Sequence, residues 1–251
     1  MNDISGLKIV YEDDDILIVD KPAWMTVNRA ETTRNEVTVQ DWMEEKLGIK
    51  SDELESGSGD DFYHRGGVVH RLDKETSGVL ILAKTPAAFV ELQRQFKERI
   101  VKKVYVALVH GKLVPMEGEI RVPVGRLPWN RKQFGIVAGG REAVTFYRVK
   151  DYFRGKGGKL LTLVELNPVT GRTHQIRVHL KYIGYPIFAD FLYAGRKTAR
   201  DDRKVLGRVF LHAGRISFIH PRTGGEVSFE SPLTGELEGV LEKLEKTEKS
   251  P

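Results

Sequence analysis

The chain contains no cysteine, so it can form neither a disulfide framework nor a thiolate zinc site, and a reduced, cytoplasmic setting is expected. It offers no apolar run long enough to cross a bilayer. The opening MNDISGLKIVYEDDD lacks the basic segment followed by an apolar one that marks a signal peptide, so no membrane partner is expected. The glycine-rich stretches at 57–59 and 155–158 follow neither a Walker loop nor a strand-linked dinucleotide fingerprint, and they read as turns. No cofactor is expected. Seven histidines raise the question of a metal, but His174 and His179 are five residues apart with no acid between them. That spacing does not stack two ligands on one helical face, and the metal expectation is none.

What is present is an ordinary globular composition, 40% hydrophobic and 30% charged over 251 residues, enough to bury a substantial core. The net charge of +5 is modest, yet acids cluster at 13–15, 44–45, 52–55 and 60–61, whereas Arg and Lys dominate 94–103, 121–132 and 196–208. One face meeting a polyanion has this pattern, and so does a merely solvated surface.

Strands are expected at 9–11 and 16–20, the second ended by Lys21-Pro22 because proline cannot donate to a ladder. A helix follows from Thr38 to Gly48, then an exposed loop over 49–66. After a strand at 78–83, Thr85-Pro86 opens a helix whose core face is Phe89, Leu92 and Phe96. Further strands are read at 103–109, 118–124, 142–150, 159–166, 209–219 and 226–229, with a helix opening at Thr173. A last helix from about Glu236 sets Leu237, Val240, Leu241 and Leu244 on one stripe, before a frayed tail at 246–251. Helices interspersed irregularly among many strands argue for one α+β domain, with a mixed, mainly antiparallel central sheet flanked by helices.

Three segments could carry chemistry. Residues 67–86, GVVHRLDKETSGVLILAKTP, place Asp73 between the cations Arg71 and Lys74 and behind aliphatics. Adjacent positive charge favours the carboxylate while burial opposes it, and such an acid serves as nucleophile or base; an acid in a turn also serves as a simple cap. Residues 171–180, GRTHQIRVHL, concentrate Arg172, His174, Gln175, Arg177 and His179. These polar groups are too dense to be expected in a core, and at a helix N-terminus they are placed to meet phosphate. Arg177 is also a candidate partner for Asp73. The third is Tyr105, which in a strand is by itself ordinary core.

Together HRLDKETSGVLILAKT, KKVYVALVHG and GRTHQIRVHL, with YEDDDILIVDKPAWMTV before them and VFLHAGRISFIHP after, resemble the RluA-type pseudouridine synthases, over about residues 9–232. The resemblance implies a single catalytic domain over 1–251, with its core at 9–232 and a C-terminal helix and tail at 236–251. It also implies the short form without an N-terminal S4 domain. The implied activity is isomerisation of specific uridines in structured RNA, ribosomal or transfer, by a monomer. Asp73 corresponds to the catalytic aspartate, Tyr105 to the tyrosine that stacks near the base, and Arg177 to the basic partner of the aspartate. Arg71 corresponds to the arginine that fills the gap left by an extruded base, and Leu211 to an apolar pocket residue. His70, Arg172, His174 and Gln175 complete the expected substrate contacts. The aspartate could attack C1′, add to the ring or take a sugar proton, and the sequence does not choose. An RNA-binding factor on the same fold without turnover, and a hydrolase using Asp73, are the competing readings.

Overall fold

A computed structural model of the chain describes residues 6–30, 36–49 and 61–247. Most of the loop expected at 49–66 and the end of the tail lie outside the described residues. In chain order the elements are β1 (Lys8–Glu12), β2 (Ile16–Lys21), α1 (Val39–Leu47), α2 (Asp61–His64), β3 (Ser77–Ala83), α3 (Pro86–Lys97), β4 (Lys102–His110), β5 (Glu117–Arg121), β6 (Val124–Leu127), β7 (Asn130–Ile136), β8 (Val144–Arg154), β9 (Leu160–Pro168), α4 (Gln175–Tyr182), α5 (Arg196–Asp202), β10 (Leu211–Ile219), β11 (Glu226–Glu230), α6 (Gly235–Leu241) and β12 (Glu245–Thr247). This is the mixed, mainly antiparallel α+β arrangement expected. The backbone divides into two compact units, one of Met1–Lys102 with Arg215–Ser231, the other of Lys103–Gly214 with Pro232–Pro251.

In the first unit β2 pairs antiparallel with β1 and with β3. Every residue of β3 is buried, the signature of a strand covered on both faces rather than one alternating between core and water. Helix α3 packs on β3 with Phe89 and Leu92 buried. Its start is set by Thr85, whose hydroxyl accepts from the Ala88 N–H at 3.2 Å, and by Pro86 in the first turn. Helix α1 carries a capping box between Thr38 and Asp41 and ends at Gly48 in the left-handed region. Strand β11 pairs with residues 215–219 of β10.

In the second unit β9 lies between β4 and β8, antiparallel to both. Leu108, Val109, Val164, Leu166, Phe210 and Leu237 belong to its main apolar cluster. The C-terminal expectation needs correction. Helix α6 stops at Leu241, and Glu245–Thr247 pairs with Tyr152–Arg154 as an added edge strand, because the open edge of β8 offers unpaired backbone groups that a frayed helix end leaves wanting. The hairpin β6–β7, with Arg126 opposite Phe134, and helix α5 were not expected.

The turn between β1 and β2 is closed by a compact network. Asp13 accepts from the Asp15 and Ile16 N–H groups at 2.8 Å each, from the Tyr11 hydroxyl at 2.9 Å and from His220 Nε2 at 2.8 Å. His220 Nδ1 accepts from the Arg222 and Thr223 N–H groups at 3.2 Å, and Arg222 forks onto Asp15. The ligand-type atoms of Asp13, Asp15 and His220 are clustered, and these hydrogen bonds tie them to Tyr11, Arg222 and backbone N–H groups. Burial pushes the Asp13 carboxyl up, yet the hydrogen bonds outweigh it and hold the group at about 2, against an ordinary 3.8. A depressed folded-state value gives stability that is present above the unfolded value and is lost as pH falls toward 2. Asp13→Asn should therefore cost about 2 kcal/mol at pH 7, with the deficit shrinking between about pH 4 and pH 2, as followed by urea unfolding at each pH.

Candidate active site

The Asp73 segment is anchored to the first unit at several points. Gly67 has φ 73°, and a Cβ there would lie 2.2 Å from the Ala83 carbonyl oxygen, so only glycine lets the chain pass this close to β3. Val68 bridges to Leu82, and Val68, Val69 and Leu72 are buried. His70 Nε2 accepts the Ile81 N–H at 3.0 Å, and its ring stacks on Phe96 at 4.8 Å between centroids. This pins His70, half-buried, to β3 and α3. Beyond Asp73, the Lys74 carbonyl accepts from the Trp24 N–H at 2.7 Å and from Lys21 Nζ at 3.4 Å. The Asp73 carbonyl accepts the Thr76 N–H at 3.0 Å. Between these fixings Asp73 is half-buried and Arg71 exposed. Lys21, buried at the end of β2, was not singled out from sequence; the Lys-Pro step was read only as a strand end.

In the second unit Tyr105 sits opposite Leu166, half-buried against the apolar cluster. Lys103 lies two residues earlier and so on the same face of β4. Its Nζ is 4.0 Å from where a Cβ on Gly171 would stand. Burial pushes its ammonium down to about 8, since the charged form loses its water. Leu211 is part of the buried cluster.

The segment 171–180 is more deeply built in than its polarity led us to expect. Gln175, Arg177 and His179 are buried, and each is satisfied, which is how polar groups enter a core at small net cost. Gln175 Oε1 accepts from the Thr170 hydroxyl at 2.7 Å and the Arg172 N–H at 2.9 Å; Nε2 donates to the Val144 carbonyl and the Thr145 hydroxyl, both at 3.0 Å. Gln175 therefore holds the turn together. His179 is bonded to the Thr145 hydroxyl at 3.0 Å and the Val122 carbonyl at 3.2 Å, and burial lowers its pKa. Arg177 forks onto Asp190, Nε to Oδ2 and Nη2 to Oδ1, both at 2.8 Å. Asp190 Oδ1 also accepts the Leu192 and Tyr193 N–H groups, and the guanidinium lies 5.0 Å from the Tyr193 ring centre. His174, at φ 56°, is bonded through Nδ1 to the Tyr193 hydroxyl at 2.8 Å, which in turn accepts the Phe134 N–H of β7 at 3.0 Å. Arg172 Nε donates to the Glu142 carbonyl at 3.1 Å. Asp190 and Tyr193 were missed from sequence, because nothing local in PIFADFLYA marks an acid that completes an arginine 13 positions away.

Residues 15–182 match the family model described as RNA pseudouridylate synthase. The chain belongs to that family. The match bears out the RluA-type resemblance and makes the chain an RNA pseudouridine synthase, an isomerase. Among its relatives, the uncharacterized RNA pseudouridine synthase YlyB of Bacillus subtilis is 39% identical over 240 residues, covering 96% of this chain and 73% of that one. The ribosomal large subunit pseudouridine synthase D of Neisseria meningitidis serogroup B is 39% identical over 247 residues, covering 95% of this chain; the chain spans 61% of that protein's length. The solved structure of human RNA pseudouridylate synthase domain containing 1 superposes with a TM-score of 0.71 at 27% identity, covering 96% of this chain and 89% of the human one.

Lys103, half-buried on β4, gives a test of how this synthase holds a cation beside its core. With a folded value of about 8 below an unfolded 10.4, the unfolded state binds more protons between these limits, so this group's contribution to stability rises with pH there. Wild type should gain about 1–3 kcal/mol on Lys103→Met as pH goes from 8 to 10 in urea titrations. A constant gap would place the amine in water.

Proposed function

We propose that the chain converts specific uridines of large-subunit ribosomal RNA to pseudouridine, with Asp73 as the reacting carboxylate, Tyr105 as the ring that stacks on the base and Arg177 as the basic group that keeps the acid ionised. The substrate class rests on the ribosomal large subunit synthases among its relatives. The observation that supports Asp73 most is the construction of its loop: Leu72 is buried on one side and Thr76 on the other, while the acid between them keeps partial exposure. Arg71 and Arg172 are assigned to the RNA. The setting proposed is the cytoplasm, and the chain acts as a monomer without metal or cofactor.

The reaction breaks the bond between ribose C1′ and uracil N1, turns the base, and joins C1′ to C5; the proton leaves C5 and N1 takes one up. Nothing is oxidised or transferred, so the residues must supply only a carboxylate, an ordered base and a place for the transient charge. Uracil leaves as a delocalised anion, which lessens the need for the second carboxylic acid of ordinary glycoside cleavage. The target atoms are hidden in stacked RNA, so the nucleotide must be everted, at a cost of a few kcal/mol that stacking on Tyr105 and phosphate contacts offset.

In a transcript of large-subunit RNA carrying tritium at uridine C5, wild type should release tritium to water, whereas Asp73→Asn should bind the RNA and release on the order of 10³-fold less. Full release by the variant would remove Asp73 from the chemistry, and free uracil among the products would replace isomerisation by hydrolysis. Mapping pseudouridine in cellular RNA with and without the chain names the position.

A further inference from the structure

The second unit contains an open cleft of about 450 Å³, within the roughly 300–1,000 Å³ of ligand sites. One wall is the hairpin β6–β7, with Arg126 and Phe134; the others carry Gly140 and Arg141, and Arg172 with Thr173. Among the described residues the lining has three arginines and no acid, although Asp and Glu number 35 against 40 Lys and Arg in the chain. Two lining glycines are closely packed: a Cβ on Gly125 would lie 2.5 Å from a Val137 methyl, and one on Gly140 would lie 3.0 Å from the Val137 carbonyl oxygen. Nothing larger than glycine fits either position without displacing its neighbour, so the turn carrying Gly140 packs closely on β6.

The cations are held differently from ordinary surface arginines. Arg172 is tethered through Nε to the Glu142 carbonyl and through its own N–H to buried Gln175, so its arm stands at the wall with little entropy left to lose. Arg126 lies 5.3 Å from the Phe134 ring centre, and Phe134 is fixed by its N–H to Tyr193. Arg126 and Arg141 are exposed, and neither was assigned a role from sequence. Next to Pro128 of the lining, the hairpin tip presents Trp129 with 79% of its surface in water. A large ring left this bare beside a cationic groove is the combination that single-stranded nucleic acid uses, charge for the phosphates and a flat face for a base.

We infer that this cleft is a subsite for an unpaired nucleotide flanking the isomerised uridine, with its phosphodiester on Arg126, Arg141 and Arg172 and a neighbouring base on Trp129. The inference rests on the RNA-isomerase reading above and adds to it a place where substrate selection occurs, apart from the reacting base. An open groove continuing onto an exposed tip suits a strand passing through it rather than a free mononucleotide enclosed within it.

The test compares wild type, the double variant Arg126→Gln/Arg141→Gln, Trp129→Ala, and Arg148→Gln as a charge control outside the cleft on β8, all with a large-subunit RNA transcript. The double variant should raise KM about tenfold or more and lower the slope of log K against log salt by about 1 to 2, with the rate at saturating RNA within twofold of wild type. Trp129→Ala should weaken binding about tenfold, while Arg148→Gln leaves KM and slope within twofold. Arg126→Lys/Arg141→Lys should recover the slope. The positions are exposed, so equal unfolding midpoints are expected and verify folding. An unchanged KM and slope in the double variant, or an equal effect from Arg148→Gln, would overturn the subsite. If wild type made no pseudouridine, the isomerase reading would fail, but retention of the same transcript on filters across salt would still decide whether the cleft binds RNA.

Discussion

The first unit depends on one buried charge. Lys21 is fully buried at the end of β2, and its ammonium donates to the carbonyls of Pro22 at 2.8 Å, Met25 at 2.9 Å and Lys74 at 3.4 Å. Taking an ammonium out of water costs several kcal/mol, while hydrogen bonds to a charged group return about 1.5–3 kcal/mol each when well formed. The balance is therefore close to even, and the value of the arrangement is positional. Two loops distant in sequence are drawn onto one donor, and the Trp24 N–H reaches the same Lys74 carbonyl. Trp24 adopts φ 71° to do so, a conformation that costs a non-glycine residue about 1 kcal/mol or more. The residue adjoining that shared carbonyl is Asp73.

The second unit solves a similar problem with partners from both side chains and backbone. Helix α4 buries an amide, a guanidinium and an imidazole within little more than its first turn, and the cost of each is met by a specific partner: Thr145 and Val144 for Gln175, Asp190 for Arg177, Val122 for His179. Removing one member of such a set leaves the other unsatisfied, which makes the network rigid and intolerant of substitution. Asp190 is the hub, because the same carboxylate that orients Arg177 also fixes the Leu192 and Tyr193 backbone. Tyr193 then carries the constraint to His174 and to β7. A guanidinium held by a planar fork keeps its orientation as well as its charge.

Local signals made much of this legible. Thr38 and Gly48, Thr85 and Pro86, and Lys21-Pro22 mark real element ends, because caps and proline act through their immediate neighbours. The three motif segments led to the family. What the sequence concealed is pairing at a distance. Dense polarity in GRTHQIRVHL suggested solvent, whereas the partners that admit it to the core come from β5 to β8 and from the segment after α4. The hairpin β6–β7 is short, with paired glycines, a register shift between Arg126 and Leu127 and a proline at its turn, so its alternation is weak. Residues 245–247 carry no strand signal of their own; the waiting edge of β8 decides their conformation, as tertiary context overrides propensity.

The central claim is that the Asp73 loop is held in one conformation by the Lys74 carbonyl clamp, independently of RNA. Amide hydrogen exchange of Trp24 and Thr76 in the intact chain without RNA tests this directly, with Leu80 of β3, paired with Val19 of β2, as the reference. The account predicts that both exchange only through the opening that also frees Leu80, with matching dependence on low concentrations of urea. Fast, urea-independent exchange at Trp24 and Thr76 while Leu80 stays protected would contradict it, because the acid would then be carried by a loop that opens on its own.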